Sequence, residues 1–261
     1  MQIEKSLLAT SEPPACTIVR ADSDSNFVFL CDHASKTIPQ QLGSLGLTQT
    51  EIARHIGWDI GALATSLLLS EGLNAPLIYQ NYSRLVIDCN RLPGVESSIP
   101  RRSEHIEIPG NLKLSAAEKA ARVEEIFLPY HNAITSLLDQ RAARNLTSSI
   151  IAMHSFTPVY EGVARPWHVG VLFDRQPVYA KIVATLLREI DGLVVGDNEP
   201  YAISEATDYT VPVHAYNRHL PYVELEIRQD LIADAKGQRQ WADYLQRIIP
   251  EARRRLGSNN T

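Results

Sequence analysis

The sequence predicts an α/β fold whose mixed, mostly parallel sheet is covered by helices on both faces. Short apolar runs alternate with stretches of helical length along most of the chain, as in folds built from βα units. Three runs, at 27–31, 85–87 and 150–153, are continuously apolar, which is typical of strands buried on both faces. Each run ends in ionisable or amide side chains. Open α/β sheets bind ligands beyond the carboxyl ends of their strands, so these ends predict a site.

Composition narrows the class of protein. The 261 residues are 44% hydrophobic and 21% charged, which argues against disorder. The net charge of −5 argues against a nucleic-acid partner, which requires a basic surface. The sequence has neither a signal-peptide core at its beginning nor an apolar run of membrane-spanning length. We therefore expect a cytoplasmic protein without membrane contact, folded as one domain over 1–261 with a loose arm at 1–14. Its oligomeric state stays open.

The first half of the chain contains two predicted helices. Thr48 and Glu51 have the spacing of a capping box that opens a short helix. A second helix should run from about Asp59 to residue 71 and end at Gly72. Strands are expected at 27–31, 76–80 and 85–89, and the aperiodic segment 93–114 is expected to be a lid or binding loop.

The second half begins with another capping box, Ser115 with Glu118, which opens a helix to about residue 145. Pro129 should kink or split this helix. The remaining elements are predicted as strands at 149–153, 168–173, 193–195 and 221–227, a helix at 177–190, an irregular segment at 197–219, and a C-terminal helical region interrupted near Gly237.

Two histidines stand out because each directly follows a predicted strand. Neutral imidazole suits zinc, and catalytic zinc takes three protein ligands and a water molecule. His33 and His154 are therefore candidate ligands, with Asp59 as a candidate third. An Asp at the start of a helix is more often a cap, so both interpretations of Asp59 stay open.

Two further groups of polar residues point to catalysis on an anionic substrate. Arg91, with Asn90 before it and Arg84 nearby, has the fork that binds a carboxylate, although a surface ion pair is the ordinary use of an arginine. Glu224 and Glu226 share one face of their strand, so either could take a proton from a metal-bound water. An exposed polar strand face is the alternative.

Taken in order, the motifs at these positions resemble the N-formylglutamate amidohydrolase family over about residues 27–232. They are Asp-His-Ala-Ser at 32–35, Gly-Trp-Asp-Ile-Gly-Ala at 57–62, Ser-Arg-Leu-Val-Ile-Asp-Cys-Asn-Arg at 83–91, His-Ser-Phe at 154–156, Gly-Asp-Asn-Glu-Pro-Tyr at 196–201 and Glu-Leu-Glu-Ile-Arg-Gln-Asp at 224–230. That family is distantly similar to zinc carboxypeptidases, succinylglutamate desuccinylase and aspartoacylase. The resemblance implies a phosphorylase/hydrolase-like fold.

The resemblance also implies roles for site residues. One divalent ion, zinc, would be held by His33, Asp59 and His154. Carboxypeptidases have a ligating Glu three residues after the first histidine, where this chain has Lys36, and Asp59 takes that place. Glu226 would be the catalytic base. The residues implied for the substrate are Arg91 as carboxylate anchor, Asn90, Arg84, Asn198, Tyr201 and Arg228.

The implied reaction is hydrolysis of the linear amide of an N-acylated acidic amino acid, such as N-formylglutamate, to formate and the amino acid. One alternative keeps the fold and changes the acyl group or amino acid, as in a desuccinylase or peptidase. Another is a metal-free binding module for acidic metabolites. The partner in each case is a small molecule.

Overall fold

The computed structural model of the protein describes residues 6–258, which contain one large sheet and two short hairpins. The strands are β1 Cys16–Val19, β2 Phe27–Cys31, β3 Leu77–Gln80, β4 Arg102–Ser103, β5 Ile106–Glu107, β6 Ser149–Phe156, β7 Val159–Tyr160, β8 Val163–Ala164, β9 Val169–Leu172, β10 Val195–Asp197 and β11 Tyr222–Arg228. The α-helices are α1 Gln49–Ile52, α2 Ala62–Gly72, α3 Ala116–Arg122, α4 Leu128–Ala143, α5 Val178–Arg188, α6 Thr210–His214 and α7 Ala235–Ser258. Short 3₁₀ turns occur at Gln40–Leu42, Glu96–Ser98, Pro109–Asn111, Tyr216–Arg218 and Gln229–Leu231.

The large sheet is mixed, as the sequence predicts. Its order is β1-β3-β2-β6-β11-β9-β10, and the central strands β3, β2, β6 and β11 run parallel. The β9 strand pairs antiparallel with β11, and β1 pairs antiparallel with β3 at the edge. Because the four central strands point the same way, their carboxyl ends form one rim.

Two apolar layers bury the sheet. Helices α2, α5 and α7 pack together over one face, against alternate side chains such as Phe29, Met153 and Leu225. Helix α4 and the segments that precede it cover the other face, which includes Leu30 and Ala152. Strands buried on both faces have to be apolar along their whole length, which explains the continuous runs at 27–31 and 150–153.

Both predicted capping boxes are present. Thr48 and Glu51 bond each other's backbone N–H groups at the start of α1, and Ser115 and Glu118 do the same for α3. The kink expected near Pro129 takes the form of a π-helical turn, Val123–Phe127, between α3 and α4.

The segment at 85–89, predicted as a strand, is instead a buried turn-rich loop. Its carbonyl groups find partners other than a neighbouring strand: Asn111 Nδ2 donates to Leu85 O at 2.8 Å and Arg122 Nη1 donates to Val86 O at 2.8 Å. Because side-chain donors satisfy its buried carbonyl groups, this apolar run does not need to pair with a strand of the sheet. Sequence alone does not reveal which side chains take over these hydrogen bonds.

Other boundaries differ for local reasons. Helix α2 starts at Ala62 rather than near Asp59, because Gly61 precedes it with φ +80°. Helix α7 continues through Gly237, whose N–H donates to Asp234 Oδ1 at 2.8 Å, so the glycine lies in a capped first turn. The segment 197–219, predicted as irregular, contains α6. Strand β1 was not predicted, because it is a short edge strand of mixed exposure.

The expected loose arm is only partly testable, because residues 1–5 lie outside the described residues. Residues 6–14 do contact the domain: the N–H groups of Leu7 and Leu8 donate to the Glu125 carboxylate at 2.8 and 2.9 Å, and Leu7 is buried. Within residues 6–258, no helix has the length and apolarity needed to cross a membrane.

We expect Gly61→Ala to destabilise the protein more than Gly192→Ala. The two glycines have φ +80° and +78°, so both variants should lose about 1 kcal/mol to the left-handed backbone. A Cβ at Gly61 would lie 2.1 Å from Ile232 O, whereas nothing lies within 4 Å of one at Gly192. The clash should cost Gly61→Ala about 1–3 kcal/mol more. Urea unfolding measures both, and equal losses would contradict the close contact.

Candidate active site

Three electron-pair donors converge at the sheet rim. Asp59 Oδ2 lies 2.8 Å from His154 Nδ1 and 3.2 Å from His33 Nδ1, and the two Nδ1 atoms are 3.2 Å apart. All three side chains are buried, with at most 3% of their surface exposed. The donors that the sequence spreads over more than 120 positions therefore form one compact triangle.

Neighbouring strands place the two histidines. His33 follows β2 after one residue, and His154 lies near the end of β6, the parallel neighbour of β2. Asp59 reaches them from the loop before α2: its N–H donates to His33 O at 2.9 Å, and Ser155 N donates to its Oδ2 at 3.3 Å. Its carboxylate bonds to the histidines and Arg84 instead of capping a helix.

The outer ring nitrogens fix the tautomers of these histidines. His33 Nε2 lies 2.7 Å from Asp88 Oδ1, and His154 Nε2 lies 3.3 Å from Asp32 Oδ2. An ionised carboxylate only accepts, so Nε2 carries the proton in each ring. Both Nδ1 lone pairs then face the Asp59 carboxylate, an arrangement that only a cation or added protons can stabilise.

A divalent ion fits this triangle. Ligands at zinc-typical distances in a tetrahedron stand about 3.3 Å apart, close to the three distances observed. Carboxylates behind ligating histidines are the usual second layer of a zinc site. Burial lowers the pKa of His154, but Asp32 and Asp59 outweigh it and hold that pKa well above its usual range. A site that attracts protons so strongly can bind a metal ion.

Asp32 connects the triangle to the helices on one face of the sheet. Its Oδ1 accepts from Tyr130 Oη at 2.6 Å and from Thr210 Oγ1 at 2.9 Å. Tyr130 belongs to α4 and Thr210 opens α6, so Asp32 holds His154 in place from two sides.

Both glutamates of β11 face this pocket and are buried. Glu226 pairs in register with His154, and Glu224 pairs with Ala152. Burial raises the pKa of Glu224 to about 7 and that of Glu226 to about 8. The charges of Asp59 and His33 act on Glu226, whereas those of Asp208 and Arg91 act on Glu224. The charge of His154 acts on both glutamates, and Glu226 is the one that pairs in register with that histidine.

The arginines lie on the same pocket wall. Arg84 Nη2 donates to Asp88 Oδ2 at 2.6 Å, and its Nη1 lies 3.5 Å from Asp59 Oδ1. Arg91 donates from Nη1 to Asp208 and to Asn90 O, which leaves Nη2 and Nε for another carboxylate. Asn90 Oδ1 in turn accepts from Thr210 N at 3.0 Å.

These groups line a cavity of about 320 Å³, a size that suits a small molecule. The predicted residues that line it are His33, Asp59, Arg84, Asn90, Arg91, His154, Tyr201, Glu224 and Glu226.

Three residues from the sequence prediction lie elsewhere. Asn198 Oδ1 accepts from Phe173 N at 2.8 Å, and Arg228 pairs with Asp230 at 2.8 Å, so neither lines the cavity and we assign neither a substrate contact. Lys36 Nζ lies 5.5 Å from the centre of the Trp58 ring, and Lys36 does not line the cavity.

Sequence reasoning missed the supporting carboxylates. Asp32 directly precedes His33, Asp88 lies two residues before Asn90, and Asp208 bonds Arg91 from a segment predicted as irregular. The first two stand inside motifs that carry the ligands, and that position was the available signal. Asp208 had none, because its pairing with Arg91 spans 117 residues.

Comparison with known proteins identifies the family and the fold of this chain. The family model described as N-formylglutamate amidohydrolase matches residues 25–233. The crystal structure of a gene product of Agrobacterium tumefaciens superposes with a TM-score of 0.92 at 36% identity, covering 98% of this chain and 100% of that one. An N-formylglutamate amidohydrolase from Ralstonia eutropha JMP134 matches with a TM-score of 0.67 at 19% identity, covering 93% and 99% of the two chains, which supports the fold alone. No curated protein matches in sequence.

We expect Asp32→Asn to weaken binding of a divalent ion by about 10–100-fold, because the neutral amide no longer fixes the His154 ring as the carboxylate does. Competition with a chromophoric chelator measures the affinity. Asp139→Asn, at an exposed carboxylate that pairs with Arg218, is the matched control and should bind as the wild type does. A folded Asp32→Asn protein with unchanged affinity would contradict this role.

Proposed function

The chain belongs to the N-formylglutamate amidohydrolase family and is a hydrolase of linear amides, and from this premise we propose that its substrate is an N-formylated acidic amino acid such as N-formylglutamate. The products would be formate and the free amino acid. The observation that carries the proposal is the meeting of the His33–Asp59–His154 triangle, two buried glutamates and Arg91 in one small cavity.

We infer that the triangle holds zinc, because two imidazoles and a carboxylate suit this ion and leave a fourth position open. When bound, zinc would polarise the formyl carbonyl and acidify a water molecule. Proton transfer and orientation of the substrate would be carried out by protein side chains around the triangle.

Glu226 acts as the base in this proposal. It would take a proton from the attacking water and deliver it to the amine nitrogen as the C–N bond breaks, so the proton balance closes. A raised pKa suits a group that has to accept a proton and then release it. Burial of this carboxylate also keeps bulk water from competing for the transferred proton.

Arg91 orients the substrate. Its free Nη2 and Nε hydrogens match a carboxylate in the bidentate geometry that guanidinium favours, and Asp208 keeps the side chain extended toward the cavity. With the α-carboxylate held there, the acylated nitrogen next to it would face the triangle. Asn90, fixed by the first turn of α6, flanks the same position.

The function is tested by release of formate or free amine from N-formyl, N-acetyl and N-succinyl derivatives of glutamate and aspartate. We expect the N-formyl acids to react fastest, activity to disappear on chelation, and added zinc to restore it. His154→Ala should lose bound metal by elemental analysis, whereas His105→Ala, at an exposed histidine outside the cavity, should keep it. Failure to cleave any derivative, or full activity without metal, would refute the proposal.

Replacing each of the two glutamates by glutamine should lower kcat by very different factors. Glu226→Gln keeps the shape and removes the base, so kcat should fall by about two to four orders of magnitude while metal stays bound. Glu224→Gln should cost about tenfold or less, since Glu224 lies toward Arg91 and Asp208. A reversed ranking would assign the proton transfer to Glu224, and two nearly harmless variants would exclude a glutamate base.

A further inference from the structure

A second basic region, which the reaction above leaves unused, lies behind the aromatic part of the pocket wall; its arginine contacts rings that line the cavity and is not itself a lining residue. Its centre is Arg165, whose guanidinium carbon lies 4.6 Å from the Tyr160 ring centre, 4.8 Å from that of Tyr201 and 5.9 Å from that of Phe156. All three rings line the cavity. Arg165 Nη1 also donates to Tyr201 Oη at 2.8 Å, so the guanidinium is held against the aromatic wall.

Arg165 lacks a counter-ion. Within the part of the chain that the structure describes, no carboxylate oxygen lies within 4.0 Å of its guanidinium nitrogens. Arg84 and Arg91, by contrast, each pair with an Asp of the pocket. Aromatic faces stabilise a cation only in part and accept few of its hydrogen bonds. A guanidinium held by one hydrogen bond to Tyr201, with no carboxylate partner, has donors left for an anion.

His55 adds a second unused donor beside it. Its ring lines the cavity, and its buried Nε2 has no hydrogen-bond partner among residues 6–258. The nearest carboxylate oxygen, Glu104 Oε1, is 3.5 Å away, and Glu104 already pairs with Arg54 at 2.6 Å. Burial together with the charges of Arg54, Arg84 and Arg165 lowers the pKa of His55, although Glu104 opposes them, so these cations act on one region.

The two basic regions are distinct. The charge of Arg91 acts on Glu224 and Asp88, whereas that of Arg165 acts on His55 and Tyr201. The charge of Arg84 acts on groups of both regions, Asp88 as well as His55 and Tyr201. Because Arg84 is paired with Asp59 and Asp88, it contributes positive potential rather than free donors. A ligand that satisfies both regions needs two separate anionic groups.

We propose that Arg165, with His55 beside it, binds the side-chain carboxylate of the substrate while Arg91 binds the α-carboxylate. This inference rests on the proposed function and deepens it: the pocket selects N-acylated dicarboxylic amino acids over neutral ones. Discrimination arises because a neutral side chain leaves the guanidinium of Arg165 without a charged partner, and a site built around a polar group rejects ligands that cannot pair with it.

The test compares kcat/KM for N-formylglutamate and for N-formylglutamine, which has the same shape and no side-chain charge. Wild type should prefer the acid. Arg165→Met should lower kcat/KM for N-formylglutamate by about 10–100-fold and change that for N-formylglutamine by less than about threefold. Arg91→Lys should lower both by similar factors, because both substrates carry the α-carboxylate.

Two further variants keep the test decisive. Arg188→Met, at an exposed arginine that pairs with Asp197, is the control and should leave both rates unchanged. Arg165→Lys preserves the charge against the aromatic wall should Arg165→Met fail to fold. Because it loses the planar fork, it should still cost about 3–10-fold on N-formylglutamate alone.

Equal losses on both substrates in the Arg165 variants, or a wild type that cleaves both substrates equally well, would overturn the inference and leave the proposed function standing. A wild type that cleaves no N-acyl amino acid would refute the proposed function itself. The two failures are therefore distinguishable in one set of assays.

Discussion

Buried negative charge is the constraint on which the pocket depends. Asp32, Asp59 and Asp88 are almost fully inaccessible, and Glu224 and Glu226 are buried within the same wall. Carboxylates in such surroundings need cations or protons close by, because isolation in a low-dielectric interior costs several kcal/mol for each charge. The protein provides Arg84, Arg91 and the two histidines. A divalent ion could be held by the His33–Asp59–His154 triangle, and its positive charge would offset the remaining carboxylates.

The sheet makes this concentration of charge possible. Parallel neighbours β2 and β6 bring their carboxyl ends to one rim, and β11 joins them in parallel on the other side of β6. His154 therefore has Glu226 beside it in register, with no intervening strand. Apolar layers on both faces hold these strands rigidly, so the polar groups at the rim have little freedom to move apart. Precise placement is what both metal binding and proton transfer demand.

Support for the ligands extends well beyond the rim. Asp32 links His154 to α4 and α6 through Tyr130 and Thr210, and the start of α6 also fixes Asn90. One short helix thus helps orient two residues that line the cavity, His154 and Asn90. The loop at 85–89 depends on Arg122 and Asn111 for its buried carbonyl partners. Destabilising substitutions in α3 or α6 should therefore displace residues of the site although neither helix contributes a catalytic group.

The sequence alone determined the central strands, the α/β class, the two capping boxes and the candidate positions His33 and His154, because each rests on a local pattern: an apolar run, a three-residue spacing, or a motif at a strand end. Asp59 followed from the family motif once Lys36 was excluded.

Tertiary structure decided the features that depend on distant partners. The run at 85–89 is not a strand of the sheet, because the side chains of Asn111 and Arg122 donate to its carbonyl groups. Helix α7 includes Gly237, because Asp234 accepts a hydrogen bond from the N–H group of that glycine. Arg228 and Asn198 had suggestive positions in sequence but found structural partners outside the cavity. Arg165 lies in a segment without a recognisable sequence pattern. Its position is set by contacts with the rings of Phe156, Tyr160 and Tyr201, which only the folded chain brings together. Contacts across such separations are set by packing and charge in three dimensions, and no local pattern encodes them.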